Sequence, residues 1–142
     1  MIEWIANEQN QTIVYQTEGI KTYAIFNLSY VKHLCLDHLF TYEGYIKAIK
    51  HQFDFKYRIP IYLDASLILI ATRRIKDYEN IWINYASIAS ITYIGNRIRL
   101  GFTSHQTIDI AMTRQAFSEQ IKRILKIKFH ISKHFHKVDY RK

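Results

Sequence analysis

Apolar positions along the chain follow two periods. In TYEGYIKAIKHQFDFKYRIPI, from Thr41 to Ile61, Tyr42, Tyr45, Ile46, Ile49 and Phe53 lie at offsets of 3, 4, 7 and 11 from the first. That spacing puts them on one face of a helix. Thr41 stands where a capping hydroxyl belongs, and Lys47 and Lys50 lie off the stripe, facing solvent or a ligand. Gly44 weakens this helix by up to about 1 kcal/mol relative to alanine. Pro60, the one proline, lacks a backbone donor and disfavours helical geometry at Ile59. The helix therefore ends before it, and IPIYL opens an extended segment.

Elsewhere the period is that of strands. TIVYQT (Thr12–Thr17) and KTYAIF (Lys21–Phe26) predict a hairpin turning at EGI, where Gly19 supplies positive φ. SYVKHLCLDHLF fits strand or helix. SLILIA predicts a strand buried on both faces, and TRRIKDYEN a polar connection. IWINYASIASITYI is strand-like with a break near Ala86, and Gly95–Asn96 then marks a tight hairpin. In RIRLGF, Ile98, Leu100 and Phe102 share one face while Arg97 and Arg99 share the other. TSHQ turns the chain, and TIDIAM returns with Ile108, Ile110 and Met112 inward. Thr113 caps a last helix with a stripe of Phe117, Ile121, Ile124, Leu125 and Ile131; Lys122, Arg123, Lys126 and Lys133 lie mainly off it.

This order predicts an α+β fold: an antiparallel sheet or partly closed β-barrel, pleckstrin-homology-like (PH-like) in one form, with one internal helix and a C-terminal helix packed on it. The 142 residues predict a single domain over 1–137 and a short basic tail over 138–142.

Composition adds an electrostatic asymmetry. The net charge is +8; Arg114 to Lys142 holds 9 Lys/Arg against 2 Asp/Glu, whereas Met1 to Thr113 holds 11 against 10. A positive field so concentrated points to nucleic acid, an anionic membrane or an acidic partner, or else to a solubilising tail. Cys35 is the one cysteine, which excludes an intramolecular disulfide and fits a reducing cytoplasm. MIEWIANEQN does not read as a secretory signal, and LILIA is far too short to span a bilayer. The expectation is a cytoplasmic protein with no membrane partner.

Enzyme chemistry finds no support. There is no phosphate-binding glycine loop, nucleophile elbow or Cys-x-x-Cys, and the carboxylates Glu43, Asp64, Asp77 and Asp109 are scattered. Cys35 between His33 and His38 reads better as a buried thiol than as a nucleophile. His130 and His134, four apart, with His136, suggest a metal site that lacks a completing ligand. The expectation is no enzyme, cofactor, metal or small-molecule substrate.

YEGYIKAIKHQFDFKYRIPIYL, followed by ENIWINYASIASI and NRIRLGF, resembles the competence transcription factor (ComK) family. The matching positions are Glu43, Gly44, Ala48 and Lys50; Arg58, Pro60 and Ile61; Trp82, Ile83 and Asn84; then Ile88, Ile91, Phe102, Phe117 and Gln120. Tyr45 stands where the family usually carries a basic residue, and IATRR where it carries a Phe-Pro-Thr-x-Ser step. The resemblance implies a nucleoid-associated activator of competence-type genes that recognises AT-rich promoter DNA through the minor groove. It further implies a homo-oligomer and capture by a proteolytic adaptor.

On this reading Lys47, Lys50, Lys56, Arg58, Arg73 and Arg74, with Lys122, Arg123 and Lys126, form a phosphate-facing surface. Arg58, Arg73 or Arg74 is favoured for groove insertion, because arginine suits narrow grooves better than strongly hydrated lysine. The competing role for Arg58 is an ion pair with Asp64 or Glu79. Two alternative functions stand beside it: a PH-like module binding anionic lipid or a protein, and an auxiliary relative acting through mixed oligomers.

Overall fold

The fold was obtained as a computed structural model that describes residues 1–140, with side chains through residue 134. A six-stranded antiparallel sheet, in the order β3-β2-β1-β6-β5-β4, forms its centre. The strands are β1 (Ile2–Glu8), β2 (Gln11–Gln16), β3 (Gly19–Tyr23), β4 (Ile61–Asp64), β5 (Leu67–Ala71) and β6 (Trp82–Asn84). A second sheet holds β7 (Ile88–Ile94), β8 (Arg97–Phe102) and β9 (Thr107–Ile110) in that order. The helices are α1 (Asn27–Asp37), α2 (Tyr42–Gln52) and α3 (Arg114–Tyr140). The α+β architecture, the antiparallel pairing and the C-terminal helix are as expected, and the two sheets stay separate rather than closing into a barrel.

Period-two alternation sorts the central sheet between two cores. Trp4, Ala6, Ile68, Ile70 and Ile83 face one side, where they meet Ile98, Leu100 and Phe102 of β8 and Phe117 and Ile124 of α3. Ile5, Leu67, Leu69, Ala71 and Trp82 face the other and pack on Val31, Leu34 and Cys35 of α1 and Tyr42 of α2. The layers are thus helices, sheet, then sheet with helix. A smaller cluster of Ile49, Phe55, Ile59 and Ile127 ties α2 and the loop after it to α3.

Asn84 adds side-chain hydrogen bonds from β6 to β5 and to the start of β1. Its Oδ1 accepts from Ile68 N at 2.9 Å, and its Nδ2 donates to the carbonyls of Ile2 at 2.7 Å and Ser66 at 2.9 Å. The same Oδ1 caps the 3-10 turn Tyr85–Ser87, the break expected near Ala86, through Ala86 N.

Several sequence expectations change. The N-terminal hairpin turns at Thr17–Glu18 rather than at EGI, with Gln16 opposite Gly19. Its second strand ends at Tyr23, so Phe26 is no strand residue; it precedes α1 as N-cap. The segment open between strand and helix is helical, with Val31, Leu34 and Cys35 buried at offsets of 3 and 4, so two helices rather than one precede the C-terminal helix. On α3, Leu125 and Ile131 are exposed, and the buried positions are Phe117, Gln120, Ile124 and Ile127. Helix α3 runs past residue 137 to Tyr140. The end of the expected tail, residues 141 and 142, and the His136 side chain lie outside the described residues.

His38 fastens the end of α1 to the end of β4. Its Nε2 lies 2.9 Å from Asp64 Oδ2 and its Nδ1 2.8 Å from the Leu34 carbonyl. Two acceptors suit an imidazolium, which donates from both nitrogens. Burial opposes its charge, but the Leu34 carbonyl and the Asp64 carboxylate outweigh it, so His38 titrates above its ordinary value. Burial also opposes ionisation of Asp64, yet bonds from Ser66 and His38 hold that carboxyl below its usual range. The raised histidine contributes stability that is full below its unfolded value and lost as pH rises through its folded value. The aspartate's share is lost as pH falls through its depressed value. Both groups are partly exposed, so the pair is worth about 0.5 kcal/mol. His38→Ala is expected to lower stability more at about pH 5.5 than at pH 8, relative to the ordinary histidine value of about 6.5; urea unfolding at both pH values checks this.

Candidate nucleic-acid interface

The loop from Phe53 to Pro60 is built from the inside out. Phe53 and Phe55 stack with centroids 4.9 Å apart. Phe55, Ile59 and Pro60 are buried, whereas Lys56 and Tyr57 point outward, Tyr57 being 78% exposed. Arg58 takes φ +48°, a left-handed conformation that non-glycine residues rarely adopt. Tyr45 fixes the far end of the loop: its hydroxyl donates to the Pro60 carbonyl at 2.6 Å and accepts from Tyr62 N at 3.0 Å. Burial is the main cause that raises its phenol pKa. Tyr45 is therefore a clamp for the start of β4. Tyr45→Phe is expected to cost about 1–2 kcal/mol, because it leaves two backbone groups short of a partner; thermal unfolding measures it.

A second loop, between β5 and β6, carries Arg73 and Arg74. Asn80 organises it: Oδ1 accepts from Thr72 N at 3.0 Å and Arg73 N at 2.9 Å. Thr72 Oγ1 in turn accepts from Ile81 N at 3.1 Å. Asn27 Nδ2 donates to the Asn80 carbonyl at 2.7 Å, tying the loop to α1. Thr72 thus closes the loop that presents the two arginines.

The two loops and α2 enclose an open cavity of about 680 Å³ lined by Tyr42, Ile46, Lys50, Lys56, Tyr57, Arg58, Ile59, Arg74 and Ile75. Four of these side chains are cationic and none is acidic. Among the described residues no carboxylate pairs with Lys50, Lys56, Arg58 or Arg74. Neither ion pair considered for Arg58, with Asp64 or with Glu79, is present among them, and the Asp64 carboxylate is engaged by His38. Beside these cations the cavity is lined by the apolar side chains of Ile46, Ile59 and Ile75 and by the exposed phenol of Tyr57. That combination suits an anionic, partly aromatic ligand.

The remaining expected cations divide. Lys47 and Arg73 are exposed but do not line the cavity. On α3, Lys122 and Lys126 are exposed, and Lys126 Nζ lies 6.0 Å from the Phe55 ring centroid, beside the first loop. Arg123 is engaged within the fold. Its Nη1 donates to the Tyr57 carbonyl, its guanidinium carbon sits 5.0 Å from the Phe55 centroid, and its Nε lies 3.9 Å from Glu119. It holds the loop that displays Lys56, Tyr57 and Arg58.

Sequence reasoning passed over Tyr57 and Asn80. Tyr57 stands between two cations, Lys56 and Arg58, and that interleaving was the available signal. Asn80 carried none beyond being an amide in a polar connection. Cys35 is buried, and burial, aided by the Glu43 carboxylate, pushes its thiol up to about 11, which disfavours the thiolate. The His130 and His134 rings lie 4.5 Å apart with Phe53 edge-on to His130. Among the described residues no three metal-ligating side chains cluster, and no helix is long and apolar enough to cross a membrane.

A family model described as ComK protein matches residues 2–136. No curated protein and no solved structure matches the chain.

Proposed function

The chain belongs to the ComK family of competence transcription factors, and from that premise we propose that it regulates transcription by binding AT-rich promoter DNA with the cavity between α2 and the two loops. The observation that carries this reading is the convergence of Lys50, Lys56, Arg58 and Arg74, from separate segments, around one acid-free opening. Phosphate neutralisation by these side chains releases condensed counterions and supplies affinity. Arg58 and Arg74 are the groove readers. A narrow A·T minor groove concentrates negative potential and favours an inserted guanidinium. Lys126 and Lys122 extend the phosphate contacts along α3, while Lys47 and Arg73 flank them. The active species is a homo-oligomer.

Support for the arginine assignment comes from how the two side chains are held. Arg58 sits in a strained backbone conformation, of the kind that the surrounding structure must enforce and that concentrates at functional sites. The Arg74 loop is latched by Asn80. An anionic lipid surface would meet the same charges. Flotation with phosphatidylglycerol vesicles, run beside gel shift on an A/T-rich duplex, separates the two ligands. Retention of the duplex with no vesicle binding is expected; vesicle binding without duplex binding would overturn the reading.

A further inference from the structure

Among the described residues Tyr57 is the most exposed aromatic side chain, at 78% against 71% for Phe129. Other exposed tyrosines lean on a neighbour: Tyr23 stacks on Tyr30, Tyr78 meets Phe26 edge to face, and Tyr93 lies under the Arg114 guanidinium. Among the described residues the Tyr57 ring has no such aromatic or cationic neighbour. The backbone beneath it is nevertheless fixed. Arg123 Nη1 donates to the Tyr57 carbonyl, Phe55 and Ile59 on either side are buried, and Arg58 is held at φ +48°. A tyrosine has two side-chain torsions, so ordering it on a ligand costs little entropy. Tyr57 also divides two hollows. With Lys50 and Lys56 it lines both the large cavity and a second one of about 370 Å³, whose other lining residues are Phe53, Asp54 and Phe55. The acid, Asp54, belongs to the second hollow only.

We propose that Tyr57 is a wedge that enters between stacked bases from the minor-groove side of the duplex. The inference rests on the DNA reading above and assigns the residue that makes binding sensitive to base steps. Lys56 and Arg58 flank the ring in sequence and line the same cavity, so a phosphate or groove contact by either one brings the phenol to the duplex. Base edges in an A·T minor groove offer acceptors only. The ring gains most from the faces of the bases, and those are reached by opening a step. Pyrimidine–purine steps such as T-A unstack at the least cost, whereas uninterrupted A-tracts are stiff. The wedge therefore favours T-A steps within A/T-rich DNA.

Permanganate footprinting tests it, because permanganate oxidises thymines whose faces have lost their stacking. The full chain is used as wild type, Tyr57→Ala and Tyr57→Phe, each saturating an A/T-rich duplex that contains T-A steps. Anisotropy on the same duplex gives affinity against salt. Wild type and Tyr57→Phe are expected to make a thymine at a T-A step hyper-reactive, and Tyr57→Ala is expected not to. Tyr57→Ala is expected to bind about 10-fold more weakly with an unchanged salt slope, since no cation is removed. Bound wild type without a hyper-reactive thymine would overturn the wedge and leave the cationic cavity standing. A Tyr57→Ala footprint equal to that of wild type would do the same. Tyr57→Phe behaving as Tyr57→Ala would also overturn it, by making the hydroxyl the acting group. Failure of the wild type to bind the duplex at all would overturn the DNA reading and the wedge with it.

Discussion

Exchanging Arg58 and Arg74 together for glutamine is expected to weaken binding to an A/T-rich duplex by about 100-fold, since a groove-reading or phosphate-binding arginine contributes roughly 1–3 kcal/mol. Glutamine keeps much of the stem, so the loss reports charge and guanidinium geometry rather than packing. The dependence of log affinity on log salt should fall by about 2, near 0.9 for each contact removed. Preference for A·T over G·C should shrink as well, because these two side chains are assigned to the groove. Arg73→Gln is a control within the same loop. Arg73 does not line the cavity, so it should cost far less than Arg74→Gln. Fluorescence anisotropy at two or more salt concentrations measures all three quantities. Equal losses from Arg73 and Arg74 would place the contact on the loop's outer surface instead.

Removing Glu3 is expected to have the largest effect on stability outside the apolar core. This carboxylate is fully buried in the second residue of β1. Its Oε1 accepts from the Ser104 hydroxyl at 2.6 Å; its Oε2 accepts from Ser104 N at 3.0 Å and the Thr103 hydroxyl at 3.3 Å. The contact pins the β8–β9 turn to the central sheet. Glu3→Ala leaves those donors without an acceptor, so a loss of about 2–4 kcal/mol is expected. Glu3→Gln preserves shape and one good acceptor and should lose roughly half as much. Chemical denaturation with both variants checks the ordering. A Glu3→Ala protein as stable as wild type would mean that water or a shifted turn satisfies the freed donors.

Sequence patterning placed α2, its Thr41 cap, the buried β5 strand and the Gly95–Asn96 hairpin, because each is decided by local chemistry. The Thr41 hydroxyl does accept from Gly44 N at 3.0 Å. A Cβ on Gly44 would lie 2.7 Å from that hydroxyl, so the glycine leaves room for the cap. β1 went unread as a strand because Glu3 interrupts its apolar pattern; the partners that make the carboxylate tolerable come from a turn a hundred residues away. The α3 stripe was placed partly wrong for a related reason. Leu125 looks like a core residue by type, but the helix turns it away from both sheets, while Ile127 meets the loop residues Phe55 and Ile59.

The candidate site was legible as a set of cations and not as a shape. Lys50, Lys56, Arg58 and Arg74 were all identifiable from the family resemblance and the charge pattern, yet nothing local announced that they converge. Convergence depends on the Asn80 latch and the Tyr45 clamp, which act across 8 and 15 residues. The same long-range packing gives Arg123 its internal role: its guanidinium is occupied by a carbonyl 66 residues away.

The central claim is selective recognition of A/T-rich duplex by this cationic cavity. Its most direct test is anisotropy titration with two duplexes of equal length, one carrying spaced A- and T-tracts and the other G·C-rich, across a series of salt concentrations. A preference for the A/T duplex that persists as salt rises, and that Arg58→Gln with Arg74→Gln diminishes, is the expected result. Equal and steeply salt-sensitive binding to both duplexes, unchanged in ratio by the double variant, would contradict it.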